Sequence, residues 1–339
     1  MKLLKKNWIT GALALMLTIS LTACGNNEQA EKVTEQTPTE VAPTEQTKPT
    51  EEQASDLSTV YPLTVVDATG ESITFTEAPK QIVSLSPAET EALFALGLDE
   101  QVVGVSDFDD YPEAVTSKAR MGGVYSPNEE AIIVAEPDLV VTGISMSVEA
   151  TEKLRELGIT IIKTDPKSVD DVIANIELLG QITDQQAEAI TVVDKMKQER
   201  AEVTEAVKSL TPEQKKKVYI EFSLGWTVGS GEFLNELITL AGGVNVAADT
   251  VGWNEISEEK IINDNPDVIL YNMNVKDETT QETLDQIIKA RSGWDQITAI
   301  KNDAIVGLND NLVSRPGPRV TQGLKEIANA IYPELLNHE

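Results

Sequence analysis

The sequence predicts an α/β protein of two similar lobes joined by one long helix. One pattern occurs twice: Glu129-Glu130-Ala131-Ile132-Ile133 followed by Pro137-Asp138-Leu139-Val140, and Glu258-Glu259-Lys260-Ile261-Ile262 followed by Pro266-Asp267-Val268-Ile269. In each copy the first part reads as a short helix and the apolar run after Pro-Asp as a buried strand, because Pro stops helices and β-branched runs favour sheets. Upstream of each copy lies a helical pattern ending in glycine, Glu91 to Gly97 and Glu236 to Gly242. A long helical stretch separates the copies. Two copies are too few for a solenoid, and strands alternating with helices point to paired α/β lobes.

The elements follow in order. Lys2, Lys5 and Lys6 precede an apolar run from Trp8 to Leu21 and then Leu21-Thr22-Ala23-Cys24, so residues 1–23 read as a secretory signal peptide. That run is too short to span a bilayer comfortably, and no later stretch of about 18 uninterrupted apolar residues exists. Cys24 is the only cysteine, which excludes a disulfide-stapled fold. Leu-Thr-Ala-Cys resembles the lipobox of bacterial lipoproteins, so Cys24 is expected to begin the mature chain and carry its lipids. Residues 24–60 repeat Thr, Glu, Pro, Gln and Ala without apolar periodicity and read as a disordered acidic tether.

Residues 61–168 then form the first lobe, 169–214 a helical linker and 215–339 the second lobe. In the linker Ser168 caps a helix starting at Val169, with Asp171 in the third position, that reads out near Gly180. Thr183 and Gln186 read as a second capping box, followed by Ile190, Val193, Met196, Val203, Val207 and Leu210 at helical spacing, ending before Thr211-Pro212. About 25 residues make a rod near 38 Å long, enough to cross from one lobe to the other.

Charge and composition exclude several functions. Of the formal net charge of −29, residues 61–339 carry −26, once +3 in residues 1–24 and −6 in residues 25–60 are set apart. A domain that acidic repels phosphate backbones, which argues against nucleic-acid binding. The only histidine is His338, near the C-terminus. With one histidine and one acylated cysteine there is no ligand set for a zinc or copper site and no Ser-His-Asp relay. Gly229-Ser230-Gly231 lacks the Lys-Ser/Thr ending of a phosphate loop and reads as a plain strand-to-helix turn. No catalytic constellation and no bound cofactor is expected.

A family resemblance adds to this reading. Gln81-Ile82-Val83-Ser84-Leu85-Ser86-Pro87-Ala88-Glu89-Thr90-Glu91, Gly104 to Pro112, Pro137-Asp138-Leu139-Val140 and Ser314-Arg315-Pro316-Gly317-Pro318-Arg319 resemble the class III solute-binding proteins of cobalamin, ferric-siderophore and haem importers. The resemblance runs from about Leu63 to Tyr332. It implies two Rossmann-like lobes joined by a single long helix, a ligand cleft between lobes that move little, and no enzymatic activity. It also implies an ABC permease with its ATPase as partner. The protein is expected to be a monomer anchored through Cys24 at the outer face of the cell membrane, and a lipidated receptor on a long acidic tether suits a cell without an outer membrane. Two exposed glutamates that dock onto permease arginines fall at Glu130 and Glu259, where paired charges fix orientation during encounter. Each also reads as a solvated helix-start carboxylate.

By similarity to the cobalamin-binding member, Phe108 and Tyr111 in the first lobe, and Trp253, Asn311 and Arg315 in the second, match cleft positions. Trp226 follows the apolar strand Val218 to Phe222, at a strand end where such folds place ligand loops. Flat rings supply apolar area to a macrocycle and Arg315 a partner for an oxygen at its rim. Tyr111 and Trp253 read equally as packing residues, and Arg315 as a surface ion-pair partner. The chain departs from the cobalamin pattern near Val124, at Gly143 and at Asn311. Cobalamin or a related corrinoid ranks first as ligand. A ferric siderophore, held by Arg315, Arg120 or Arg291, ranks second, and haem, held by Tyr111 or Tyr125, third.

Overall fold

The computed structural model describes residues 57–336. The signal peptide, Cys24, the tether before residue 57 and His338 lie outside the described residues. The first lobe opens with an antiparallel hairpin, β1 (Leu63–Val66) and β2 (Ser72–Phe75). It continues as β3 (Ile82–Ser84), α1 (Pro87–Ala95), β4 (Val102–Val105), β5 (Ala119–Arg120), α2 (Glu129–Val134), β6 (Leu139–Thr142), α3 (Val148–Glu156) and β7 (Ile161–Lys163). Two helices follow, α4 (Val169–Thr183) and α5 (Gln186–Val207). The second lobe begins with β8 (Lys217–Glu221), β9 (Trp226–Val228), α6 (Phe233–Leu240), β10 (Val244–Asn245), β11 (Trp253–Glu255) and α7 (Glu258–Asp264). It ends with β12 (Val268–Asn272), α8 (Leu284–Ala290), α9 (Thr298–Lys301), β13 (Ile305–Leu308), α10 (Asp310–Val313), α11 (Val320–Ile331) and α12 (Pro333–Leu336).

The repeated sequence is a repeated topology. One parallel sheet runs β5-β4-β3-β6-β7 and the other β10-β8-β12-β13, so the order around the central pair is the same in both lobes. The Pro-Asp step fixes it. Asp138 Oδ2 accepts from the N–H groups of Lys80 and Gln81 at 2.8 and 3.0 Å, and Asp267 Oδ2 from that of Lys217 at 2.8 Å. Each carboxylate thus pins an incoming strand to the start of its neighbour, placing Leu139 beside Ile82 and Val268 beside Val218.

The glycine-ended helices match as well. Gly97 and Gly242 take φ of 77° and 79°, and each closes its helix with the paired bonds of a Schellman motif: Gly97 N to Phe94 O with Leu98 N to Leu93 O, and Gly242 N to Thr239 O with Gly243 N to Ile238 O.

The linker departs from expectation at its turn. Ser168 does cap α4 by accepting from Asp171 N, but the helix continues past Gly180 to Thr183. Thr183 forms no capping box with Gln186, because its hydroxyl donates back to Leu179 O at 2.7 Å within α4. Asp184, left-handed at φ 58°, makes the turn and accepts from Thr59 N, while Gln186 Nε2 donates to Thr59 Oγ1. The box is thus lost at both ends, Thr183 to its own helix and Gln186 to the incoming chain. Helix α5 spans 22 residues, about 33 Å, and packs on α4 and α11.

Strand alternation sorts the core into three. Ile82, Leu139 and Val141 of the first lobe, and Val218, Ile220, Val268 and Leu270 of the second, face one continuous apolar cluster that includes Val172, Ile176, Met196, Val203, Leu237 and Leu324. Their neighbours Val83 and Val140 face a cluster private to the first lobe, and Tyr219 and Ile269 one private to the second. A period of two thus gives each strand one face for its own lobe and one for the shared seam.

Candidate functional site

Parallel strands release their loops at carboxyl ends, where open α/β sheets place ligands. In both lobes those loops meet at a cleft of about 840 Å³. Ser86 follows β3, Phe108 follows β4, and Ile144 and Ser145 follow β6. Phe222 and Ser223 follow β8, Val275 follows β12 and Asp310 follows β13.

The walls are aromatic. Phe108 and Tyr125 face in from the first lobe, and Phe222, Trp226, Phe233 and Trp253 from the second. The antiparallel pairing of β9 with β11 carries both tryptophans, Trp226 opposite Glu255 and Trp253 opposite Val228. Trp253 also meets Phe222 edge to face, with ring centroids 5.1 Å apart. Phe108, Tyr125, Trp226 and Trp253 each keep between 40% and 70% of their surface in solvent, a large apolar area with nothing packed on it.

The cations of the cleft are already engaged. Lys167 Nζ lies 3.3 Å from Glu232 across the lobes and 3.5 Å from Asp165. Burial alone would lower the Lys167 pKa, but these two carboxylates outweigh it and hold the ammonium charged. Arg315 Nη1 donates to Asp110 at 2.6 Å and to Glu91 at 3.1 Å. Burial there is likewise outweighed by the two acids, so the guanidinium pKa rises.

The sequence-selected residues divide accordingly. Phe108, Trp226, Trp253 and Arg315 line the cleft together. Tyr111 and Asn311 do not. The Arg319 guanidinium sits 3.9 Å from the Tyr111 ring centroid, and Asn311 Nδ2 donates to Asp110 at 3.2 Å, so both belong to the ion-paired joint beside the cleft. Arg120 donates to Ser106 O and Asp109 O, and Arg291 is held behind the cleft by Glu221 at 2.5 and 2.6 Å, with Trp294 under its guanidinium. Val124 lies in the cleft wall. At Gly143 an added Cβ would come within 2.5 Å of Glu89 Oε2 and 2.7 Å of Ser86 Oγ, so a larger side chain would have to displace both. Among the described residues no group of three or more His, Cys, Asp and Glu is arranged to hold a metal.

Glu130 and Glu259 occupy matching sites. Each is the second residue of its helix, behind a side-chain cap from Asn128 or Ser257. In both pairs the first glutamate is engaged, Glu129 with Lys153 at 2.6 Å and Glu258 with Arg291 at 3.6 Å. The second is exposed and, among the described residues, has no ion-pair or hydrogen-bond partner.

Sequence reasoning passed over Glu89, Lys167 and Glu232. All three line the cleft, and isolated charges in loops and helix starts carry no periodic signal.

Residues 82–312 match the model of the periplasmic binding protein family. The chain is 32% identical to an uncharacterised ABC transporter substrate-binding lipoprotein, YvrC, of Bacillus subtilis, over 98% of this chain and 99% of that one. It is 30% identical to a cobalamin-binding protein of Halobacterium salinarum, over 84% of this chain and 78% of the other. The crystal structure of a possible iron-binding periplasmic solute-binding protein of Staphylococcus epidermidis superposes with a TM-score of 0.65 at 31% identity, covering 76% of this chain and all of that one.

Proposed function

Because the chain belongs to the periplasmic binding protein family and is the substrate-binding protein of an ABC importer, we propose that its cargo is a corrinoid, cobalamin or a close relative. One observation carries this reading: a cleft of about 840 Å³ whose walls are bare aromatic rings and whose cations are already paired. Such a cleft rewards a bulky, flat, uncharged cargo, since rings gain by apolar area and no free cation waits for an anion. The cobalamin-binding relative of Halobacterium salinarum points the same way.

The protein acts as a monomer held at the outer face of the cell membrane through lipids on Cys24, as the lipoprotein naming of its Bacillus relative supports. It catalyses no turnover. Glu130 and Glu259 dock onto basic residues of the permease, which with its ATPase draws the lobes apart and takes the cargo. The matching geometry of the two free carboxylates supports this assignment.

A ferric siderophore is the second reading, favoured by the likeness to the possible iron-binding protein of Staphylococcus epidermidis. An anionic complex would have to displace Asp110 or Glu91 from Arg315. Haem stands third, with Tyr125 at the cleft rim as its available oxygen ligand.

Calorimetric titration of the purified protein with cyanocobalamin, ferric siderophores and haem decides among them. Tight binding of cyanocobalamin alone is expected. Selective binding of a ferric siderophore or haem would replace the corrinoid assignment, and silence with all would overturn it.

A further inference from the structure

We propose that Glu89, at the first-lobe side of the cleft, is a specificity-determining contact whose carboxylic acid donates a hydrogen bond to a carbonyl or carboxamide oxygen of the cargo. The proposal rests on the reading of the cleft as the cargo site.

Glu89 is the third residue of α1 and lines the cleft, yet only 4% of its surface is exposed. Its Oε1 accepts from the Thr164 hydroxyl at 2.5 Å. Its Oε2 has no hydrogen-bond partner of good geometry among the described residues, although the Ser86 hydroxyl lies alongside. Buried polar atoms are almost always paired, so an unpaired one beside a ligand cleft marks a place where a partner arrives from outside. Gly143 bounds that place closely, since a Cβ there would fall 2.5 Å from Oε2 and 2.7 Å from Ser86 Oγ.

The protonation state follows from the surroundings. The nearest buried cation, Lys163, donates to Gly143 O at 2.8 Å and Thr164 O at 3.4 Å, and makes no ion pair with Glu89. A buried carboxylate without an ion pair is strongly disfavoured and takes up a proton instead. Burial pushes the Glu89 pKa up, and it outweighs the opposing influence of Ser86, Thr164, the helix start and the Lys163 charge. A protonated acid has one donor, and with Thr164 satisfying Oε1 the proton sits on Oε2 beside the Ser86 hydroxyl, which a cargo oxygen would have to replace as its neighbour.

Other charges lie around it. Lys163 ends β7, Asp165 and Lys167 follow it, Asp109 lies in the loop after β4, and Glu232, Asp310 and Arg315 line the cleft from the second lobe. Asp109 is also buried with its pKa pushed up, so it serves as the control.

The test is calorimetry with cyanocobalamin, which carries carboxamides, and with ferrichrome and haem, from mildly acidic to mildly alkaline pH. Wild-type affinity should fall as pH rises through the Glu89 titration. Glu89→Ala should weaken binding about tenfold at acidic pH. Glu89→Gln keeps a donor and should hold affinity while flattening the pH dependence. Asp109→Asn should leave that dependence in place. In the free protein, an infrared band of a protonated carboxyl should disappear in Glu89→Gln, a readout that needs no ligand. Absence of that band, or cargo binding that neither Glu89 variant changes, overturns the proposal alone. Silence of all three compounds overturns the cleft reading and the proposal with it.

Discussion

Glu91 of the first lobe is chelated by Arg319 of the second, through Nε at 2.7 Å and Nη2 at 2.6 Å. The residues are 228 positions apart and the carboxylate is buried. With Arg315 on the same acid and Asp110 on Arg315, this joint ties the lobes beside the cleft. Arg319→Ala should destabilise the protein by about 3 kcal/mol, because it leaves a buried acid with one imperfect partner. Arg319→Lys should recover only part of this, since a lysine cannot reproduce the two-pronged fork. Urea unfolding measures both.

The free carboxylates of Glu130 and Glu259 should matter only in the complete importer. Glu130→Lys with Glu259→Lys should leave cargo affinity within about twofold and abolish uptake by cells, because a rim charge acts on encounter with the partner. The charge reversal of Glu129 and Glu258, which are engaged within the protein, should cost stability instead. Normal uptake by the first double mutant would sink the docking assignment.

Trp226 and Trp253 offer a direct readout of the cleft. Truncating either to Ala should weaken cargo binding by about 2 kcal/mol, near thirtyfold. Their fluorescence should be quenched by a coloured cargo, while the buried Trp294 behind the cleft contributes a steady background. Fluorescence titration of Trp226→Phe and Trp253→Phe separates the two.

The matched glycines should differ in cost. Gly97→Ala meets nothing within 4 Å and should cost about 1 kcal/mol for the left-handed backbone alone. Gly242→Ala should cost more, because its Cβ would press on Val207 Cβ at 3.0 Å. Thermal unfolding of the two variants side by side checks the order.

Asp67 makes acid stability predictable. It is buried against Arg155 at 2.6 Å and accepts from Thr69 and Lys163 N. Burial would raise its pKa, but these hydrogen bonds and the Arg155 charge outweigh it and hold the pKa below the ordinary value. Its contribution is therefore full above the unfolded value near 3.9 and is lost as pH falls through the folded one. Asp67→Asn should lower stability by about 2 kcal/mol at neutral pH, a gap that closes below about pH 4.

The duplicated topology was legible because it is written locally. Pro137-Asp138 and Pro266-Asp267 stop a helix and register a strand within a few residues, and Gly97 and Gly242 end helices in place. Trp226 was legible as a strand-end aromatic in the same way, whereas Phe108 and Trp253 were legible only through the family resemblance. Tyr111, Asn311 and Arg315 carried the right chemistry, yet their partners Arg319, Asp110 and Glu91 include acids and bases more than 200 positions away. Thr183 misled for a related reason: a capping box is a local pattern, but Thr183 bonds back to Leu179 O and Gln186 is taken by Thr59, over 120 residues earlier. Glu89 gave no sign at all, since its importance depends on what fails to surround it.

The seam of side chains that both sheets share resists separation of the two lobes. Wedging the halves apart would wet that seam, at about 2.5 kcal/mol for every 100 Å² of oily surface laid bare. Random jostling rarely supplies several such increments at once, so on the proposed function the lobes would hold together around a bound cargo until something outside the protein parts them. The proposed docking at Glu130 and Glu259 would give the permease a hold on each lobe from which to do so.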